Sequence, residues 1–80
     1  MGKEPEVILY TTAGCHLCEQ AARMLEQLRA DSLLGFDAID IAEDESLVDL
    51  YGLRIPVVRN PVSGAEAGWP FSRDELLDLL

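Results

Sequence analysis

The 80-residue sequence predicts one α/β domain in which a four-stranded mixed sheet is flanked by helices, in the order β-α-β-α-β-β-α. Three observations predict it. Short apolar runs rich in β-forming residues alternate with segments whose apolar residues recur every three or four positions, the pattern of strands alternating with helices. A turn sequence, Asn60 to Gly64, separates the last two extended segments and implies a closing hairpin. The length suits a single thin core, because a chain this short buries only about 60 to 65% of its unfolded surface.

Val7 to Tyr10 is an apolar run after a proline, and it gives way to the small residues Thr11 to Gly14, so it reads as a buried strand opening into a loop. From Cys15 the period changes. Leu17, Ala21, Met24, Leu25 and Leu28 recur at helical spacing with Glu19, Arg23, Glu26 and Gln27 opposite, which predicts an amphipathic helix to about Ala30. Gly35 to Ile41 alternates Asp37, Ile39 and Ile41 against Phe36, Ala38 and Asp40 and reads as the second strand, with Asp40 near its exposed end.

Glu43 to Gly52 predicts a short helix with acids in its first turn, Leu47, Leu50 and Tyr51 on its inner side and Gly52 at its C-terminus. Pro56 to Arg59 is the third strand and Ala65 to Gly68 a weak fourth. Ser72 to Glu75 has the form of a capping box, followed by Leu76, Leu77, Leu79 and Leu80 on a terminal helix. The first two strands should run parallel through a right-handed crossover and the last two antiparallel. That order puts the segment around Cys15 at the C-terminal end of a strand and the N-terminus of a helix, where ligands collect in open α/β sheets.

Fifteen acidic against six basic residues give a net charge of −9, which repels nucleic acid and anionic membrane. Five acids and no base lie between Asp40 and Asp49, and a solvated helix start that complements the helix dipole accounts for them. No stretch approaches the roughly 20 apolar residues needed to span a bilayer, and the opening residues carry neither a secretory signal nor a myristoylation pattern, so a cytoplasmic protein is expected; a monomer is the expected state.

Cys15 and Cys18 are the only cysteines, and His16 between them is the only histidine. At this spacing on a helix the two side chains lie about 60° apart around the axis, so their sulfurs can meet. A redox pair, a metal clip and two inert small residues all satisfy that spacing. Against a structural zinc site, four ligands are needed and one chain supplies two cysteines plus a His16 that neighbouring helical geometry turns away from them.

Three segments resemble the thioredoxin fold and, within it, the glutaredoxins, over nearly the whole chain. Tyr10-Thr11 with Cys15 and Cys18 is similar to the glutaredoxin strand and active-site run, Tyr51 to Val58 resembles the superfamily's pre-proline segment, and Ser72 to Leu80 fits the terminal helix. Thioredoxin proper resembles the chain less, since Gly14 stands where thioredoxins have tryptophan and Leu9 where they bury an aspartate. Departures from the glutaredoxin pattern set the chain apart from a standard member. His16-Leu17 replaces Pro-Tyr, Arg54-Ile55-Pro56 replaces Thr-Val-Pro, and Gly68-Trp69-Pro70-Phe71 replaces a Gly-Gly pair that cradles glutathione.

The resemblance implies a small glutaredoxin-like dithiol-disulfide oxidoreductase without a resident cofactor. A cysteine at a helix N-terminus is favoured as its thiolate, so Cys15 would attack and the more shielded Cys18 would resolve the mixed disulfide. A protonated His16 would further stabilise that thiolate. Pro56 would be cis and face the disulfide, the Ile55 backbone would pair with an extended substrate segment, and Trp69 would line the groove or serve as core. Arg54 and Arg59 would offset the acidic field for an anionic thiol such as glutathione, whose carboxylates the helix start at Ser72 to Asp74 could also receive. Protein or small disulfides are the expected substrates, with glutathione or a reductase as electron donor. The competing readings are a metal or iron-sulfur module that pools the cysteines of two chains, in the latter case with glutathione, and a non-catalytic docking domain of the same fold.

Overall fold

The computed structural model describes residues 6–80, so the reading of the first five residues lies outside it. Its elements follow the predicted order: β1 (Val7–Thr11), α1 (His16–Ala30), β2 (Phe36–Asp40), a single 3-10 turn (Ile41–Glu43), α2 (Glu45–Tyr51), β3 (Val57–Arg59), β4 (Glu66–Gly68) and α3 (Arg73–Leu77). The sheet order is β2-β1-β3-β4. β1 and β2 are parallel, whereas β3 is antiparallel to both β1 and β4. This is the mixed α/β sheet of the thioredoxin-like fold.

Alternation along the strands divides the apolar residues between two faces. On one face Val7, Leu9, Phe36 and Val58 pack against Ala21, Leu25 and Leu28 of α1 and against Phe71, Leu76 and Leu79 around α3. Leu25 is fully buried there, and truncating such a leucine to alanine costs about 2 to 5 kcal/mol. On the other face Tyr10 and Val57 meet Ile41 and Tyr51, with Ile8, Ile39, Leu47 and Ile55 around them. The Tyr10 and Tyr51 rings stack 4.4 Å apart, 14° from parallel, so α2 is fixed to the sheet through an aromatic pair.

Local chemistry sets the ends of the elements. The Asp40 side chain accepts from the Ala42 amide at 2.9 Å, which stops β2 one residue short of the predicted Ile41 and turns the chain. Asp44 caps α2 by accepting from the Ser46 amide and hydroxyl, and its carboxyl is held below the usual range by those bonds. The predicted capping box at α3 is present in full: Ser72 Oγ accepts from Glu75 N at 3.1 Å and Glu75 Oε1 from Ser72 N at 3.1 Å.

Two helix faces differ from the expectation. Leu17 is 45% exposed and Leu50 60% exposed, although the periodicity assigned both to inner faces. Cys18 takes the buried position on the first turn of α1, and the seven-residue α2 is too short to bury more than the Leu47 and Tyr51 side of its surface. Gly52 follows α2 with a right-handed φ of −53°, not the left-handed cap that glycine usually marks. Its reason is space, because a Cβ there would lie 2.5 Å from the Val48 carbonyl oxygen.

Candidate active site

β1 runs into the loop Thr12 to Gly14, and Gly14 adopts φ +75°, a conformation that a side chain disfavours, before the chain enters α1. Cys15 is the N-cap residue, with extended φ and ψ of −100° and 106°. Its Sγ accepts from the Cys18 backbone N–H at 3.1 Å, so the sulfur occupies the place that a serine or aspartate oxygen takes in an ordinary cap. Cys15 and Cys18 form a disulfide with their Cα atoms 5.2 Å apart. The two sulfurs are unequal in access, because Cys15 is partly exposed and Cys18 is 1% exposed.

Strand register shows what shares this end of the sheet. Tyr10 pairs with Val57 and Val57 with Gly68, so one step further Thr11, Pro56 and Trp69 lie side by side, and Thr11 pairs with Asp40 on its other flank. The Trp69 N–H donates to the Pro56 carbonyl at 3.2 Å and completes that row. Ile55-Pro56 is cis, as the resemblance implied, and Trp69-Pro70 is a second cis bond. Pro56 is fully buried.

The other predicted residues divide. The Ile55 N–H donates to the Tyr51 carbonyl at 3.0 Å, so a substrate strand pairing here would use the Ile55 carbonyl or displace that bond. Trp69 is half-buried and packs on the α1/α3 core with its ring 5.1 Å from Phe71 in an edge-on arrangement. His16 has a 95% exposed side chain whose Nδ1 is 3.6 Å from Glu19 Oε2, so a protonated ring would share its charge with that carboxylate. Among the described residues no group of three or more His, Cys, Asp or Glu side chains is placed to hold a metal ion.

Solved structures that are 29 to 42% identical to the chain share its architecture. The chain is 42% identical to the Northeast Structural Genomics target XcR50 from X. campestris in its X-ray structure, with a TM-score of 0.75 over 90% of this chain and 91% of that one. It is 29% identical to Ne2328 from Nitrosomonas europaea in its solution structure, with a TM-score of 0.78 over 100% of this chain and 96% of that one. Residues 6–80 match the family model of the glutaredoxin-like domain (DUF836). The chain belongs to this glutaredoxin-like family. No curated protein matches it.

A cluster that the sequence did not announce lies on the α2 face of this glutaredoxin-like domain. Tyr51 Oη donates to Glu66 Oε2 at 2.6 Å, Arg54 Nη2 is 3.0 Å from Glu66 Oε1, and Arg59 Nε is 3.7 Å from Glu66 Oε2. The Arg54 guanidinium also lies 5.4 Å from the Tyr51 ring centroid. The Tyr51 hydrogen bond, followed by the Arg54 contact, lowers the Glu66 carboxyl, while bonding to Glu66 and burial push the Tyr51 phenol up to about 12. The available signals were the hairpin, which sets Arg59 opposite Glu66, and the three-residue spacing of Tyr51 and Arg54.

Proposed function

We propose that the protein is a small dithiol-disulfide oxidoreductase in which Cys15 and Cys18 cycle between dithiol and disulfide. The observation that carries this reading is the disulfide itself, with its partly exposed Cys15 at the N-terminus of α1 and its shielded Cys18 one turn on. Membership of the glutaredoxin-like family supports it.

In the reductive direction the Cys15 thiolate, favoured by the amides and dipole of the helix start, attacks one sulfur of a substrate disulfide. The substrate S–S bond breaks, its first thiolate leaves and takes a proton from solvent, and Cys15 is held in a mixed disulfide. Cys18 as thiolate then attacks Cys15 Sγ, the second substrate thiolate leaves and is protonated, and the Cys15–Cys18 disulfide remains. An external dithiol or two glutathiones return the pair to its reduced form. Pro56 shapes the floor beside the disulfide, and Ile55, Trp69 and His16 border the substrate.

The test is reduction of a small mixed disulfide, coupled in parallel to glutathione with its reductase and to thioredoxin with its reductase. Wild type should turn over in at least one system, Cys15→Ser in neither, and Cys18→Ser should accumulate a mixed disulfide on Cys15 detectable by mass. Inactivity of the wild type in both systems would overturn the reading.

A further inference from the structure

We propose that Glu66 sets the charge preference of the disulfide site by withholding Arg54 from it, so that the protein reduces uncharged and cationic disulfides, a basic peptide cystine above all, in preference to anionic ones such as glutathione disulfide. This rests on the dithiol-disulfide reading above and adds to it the substrate class and a positioning residue.

Arg54 lies two residues before Pro56, which shares the end row of the sheet with Thr11, the residue from which β1 leads through the loop to Cys15. The Arg54 side chain does not remain there. Glu66 pairs across the sheet with Arg59 and, through it, with Ile8, which is three residues back from Thr11 along β1. At about 3.3 Å per residue that is about 10 Å from the site row. The Arg54 guanidinium is drawn toward this carboxylate and onto the Tyr51 ring, and Tyr51 Oη holds the other oxygen of Glu66. Arg59 shares the same carboxylate from its own position in the row of Ile8. The depressed Glu66 carboxyl agrees with a charge held in place by its partners.

The remaining described arginines lie elsewhere. Arg29 is paired with Glu26 and Arg73 with Asp31, and Arg23 sits eight residues beyond Cys15 on α1, about 12 Å further along the axis. The acids, by contrast, gather at the site end. Asp40 flanks Thr11 in the end row, Glu43, Asp44 and Glu45 follow it, and Glu19 stands beside His16. A chain of net charge −9 then meets an anionic disulfide with no arginine among the described residues free at this end of the sheet to receive its carboxylates, while the exposed Leu17, two residues after Cys15, gives an extended peptide an apolar contact.

The experiment uses three small disulfides that differ in charge: cystamine, 2-hydroxyethyl disulfide and glutathione disulfide, with dithiothreitol supplying the electrons and becoming the cyclic disulfide. At low ionic strength kcat/KM should fall in that order by about tenfold from end to end, and the spread should narrow at 1 M salt, where screening acts within about 3 Å. Glu66→Gln should raise the ratio of glutathione disulfide to cystamine rates about threefold or more, and Glu66→Gln with Arg54→Gln, which restores the wild-type net charge, should return the ratio to its starting value. Ratios cancel any common loss from imperfect folding. Equal or faster reduction of glutathione disulfide by the wild type, or a ratio unmoved by Glu66→Gln, would overturn the proposal while leaving the oxidoreductase reading in place. Failure to reduce any of the three would overturn that reading and this inference together.

Discussion

At the scale of single residues, Tyr51 joins the two tasks of this small protein. Its ring stacks on Tyr10 to fix α2, and its hydroxyl holds the carboxylate that carries Arg54 and Arg59. Because the folded state raises the phenol to about 12 from an ordinary value of 10, the folded chain keeps this proton after the unfolded chain has lost it. The stabilisation is complete below pH 10 and is lost as pH rises from there through about 12. Urea unfolding across pH 8 to 12 should therefore show falling stability for wild type, and Tyr51→Phe should remove that part of the slope. Glu66 works in the opposite window, since its carboxyl is lowered and its contribution is lost as pH falls into the acid range below 4.5. Of these residues the sequence disclosed Cys15, Cys18 and the Ile55-Pro56 pair by spacing and by resemblance. Glu66 stayed hidden because its role depends on which cation the hairpin and α2 bring to it.

At the scale of elements, two helix ends make opposite claims on the same rule. Ser72 and Glu75 satisfy each other's backbone amides, so the five-residue α3 is held chiefly by its cap and by Leu76 beneath it. Ser72→Ala should lower stability by about 1 kcal/mol in denaturant unfolding. At Gly52 helix propensity argues that alanine should gain up to about 1 kcal/mol, since φ is already right-handed. The 2.5 Å approach to the Val48 carbonyl reverses the sign, and Gly52→Ala should destabilise the protein. The capping box was legible because it needs only four residues in order. The crowding at Gly52 was not, because a glycine after a helix reads as a left-handed cap until its φ is known. Asn60 makes the same point for loops: its side-chain Oδ1 accepts from the Val62 and Ser63 backbone N–H groups to shape the turn, and its side-chain Nδ2 donates to the Leu79 carbonyl, tying the hairpin to the end of the chain.

At the scale of the whole molecule, charge and core size set the balance. A net charge of −9 on 80 residues opposes the folded state through self-repulsion, and salt screens it over about 8 to 10 Å at ordinary ionic strength. The exposed ion pairs Arg29–Glu26 and Arg73–Asp31 weaken under the same screening, yet pairs of this kind contribute little. The melting temperature should accordingly rise as sodium chloride is added from 10 to 200 mM, and a fall would show that the arginine pairs outweigh the repulsion. None of the described helices is long and apolar enough to cross a membrane.

What the sequence determined by itself was whatever depends on neighbours in the chain. Hydrophobic period set the element order, Ser72 to Glu75 set a cap, and a cysteine pair three apart at the start of α1 could close on itself. Only the tertiary structure decided which side of a short helix is buried, which of two nearby sulfurs is shielded, and where the arginines spend their charge. Leu50 is exposed because α2 covers little of the sheet, and Arg54 is held by Glu66 because antiparallel pairing brings β4 alongside β3. The physical reason is range: caps and periodicity act within a few residues, whereas burial and ion pairing depend on the register of strands far apart in the chain.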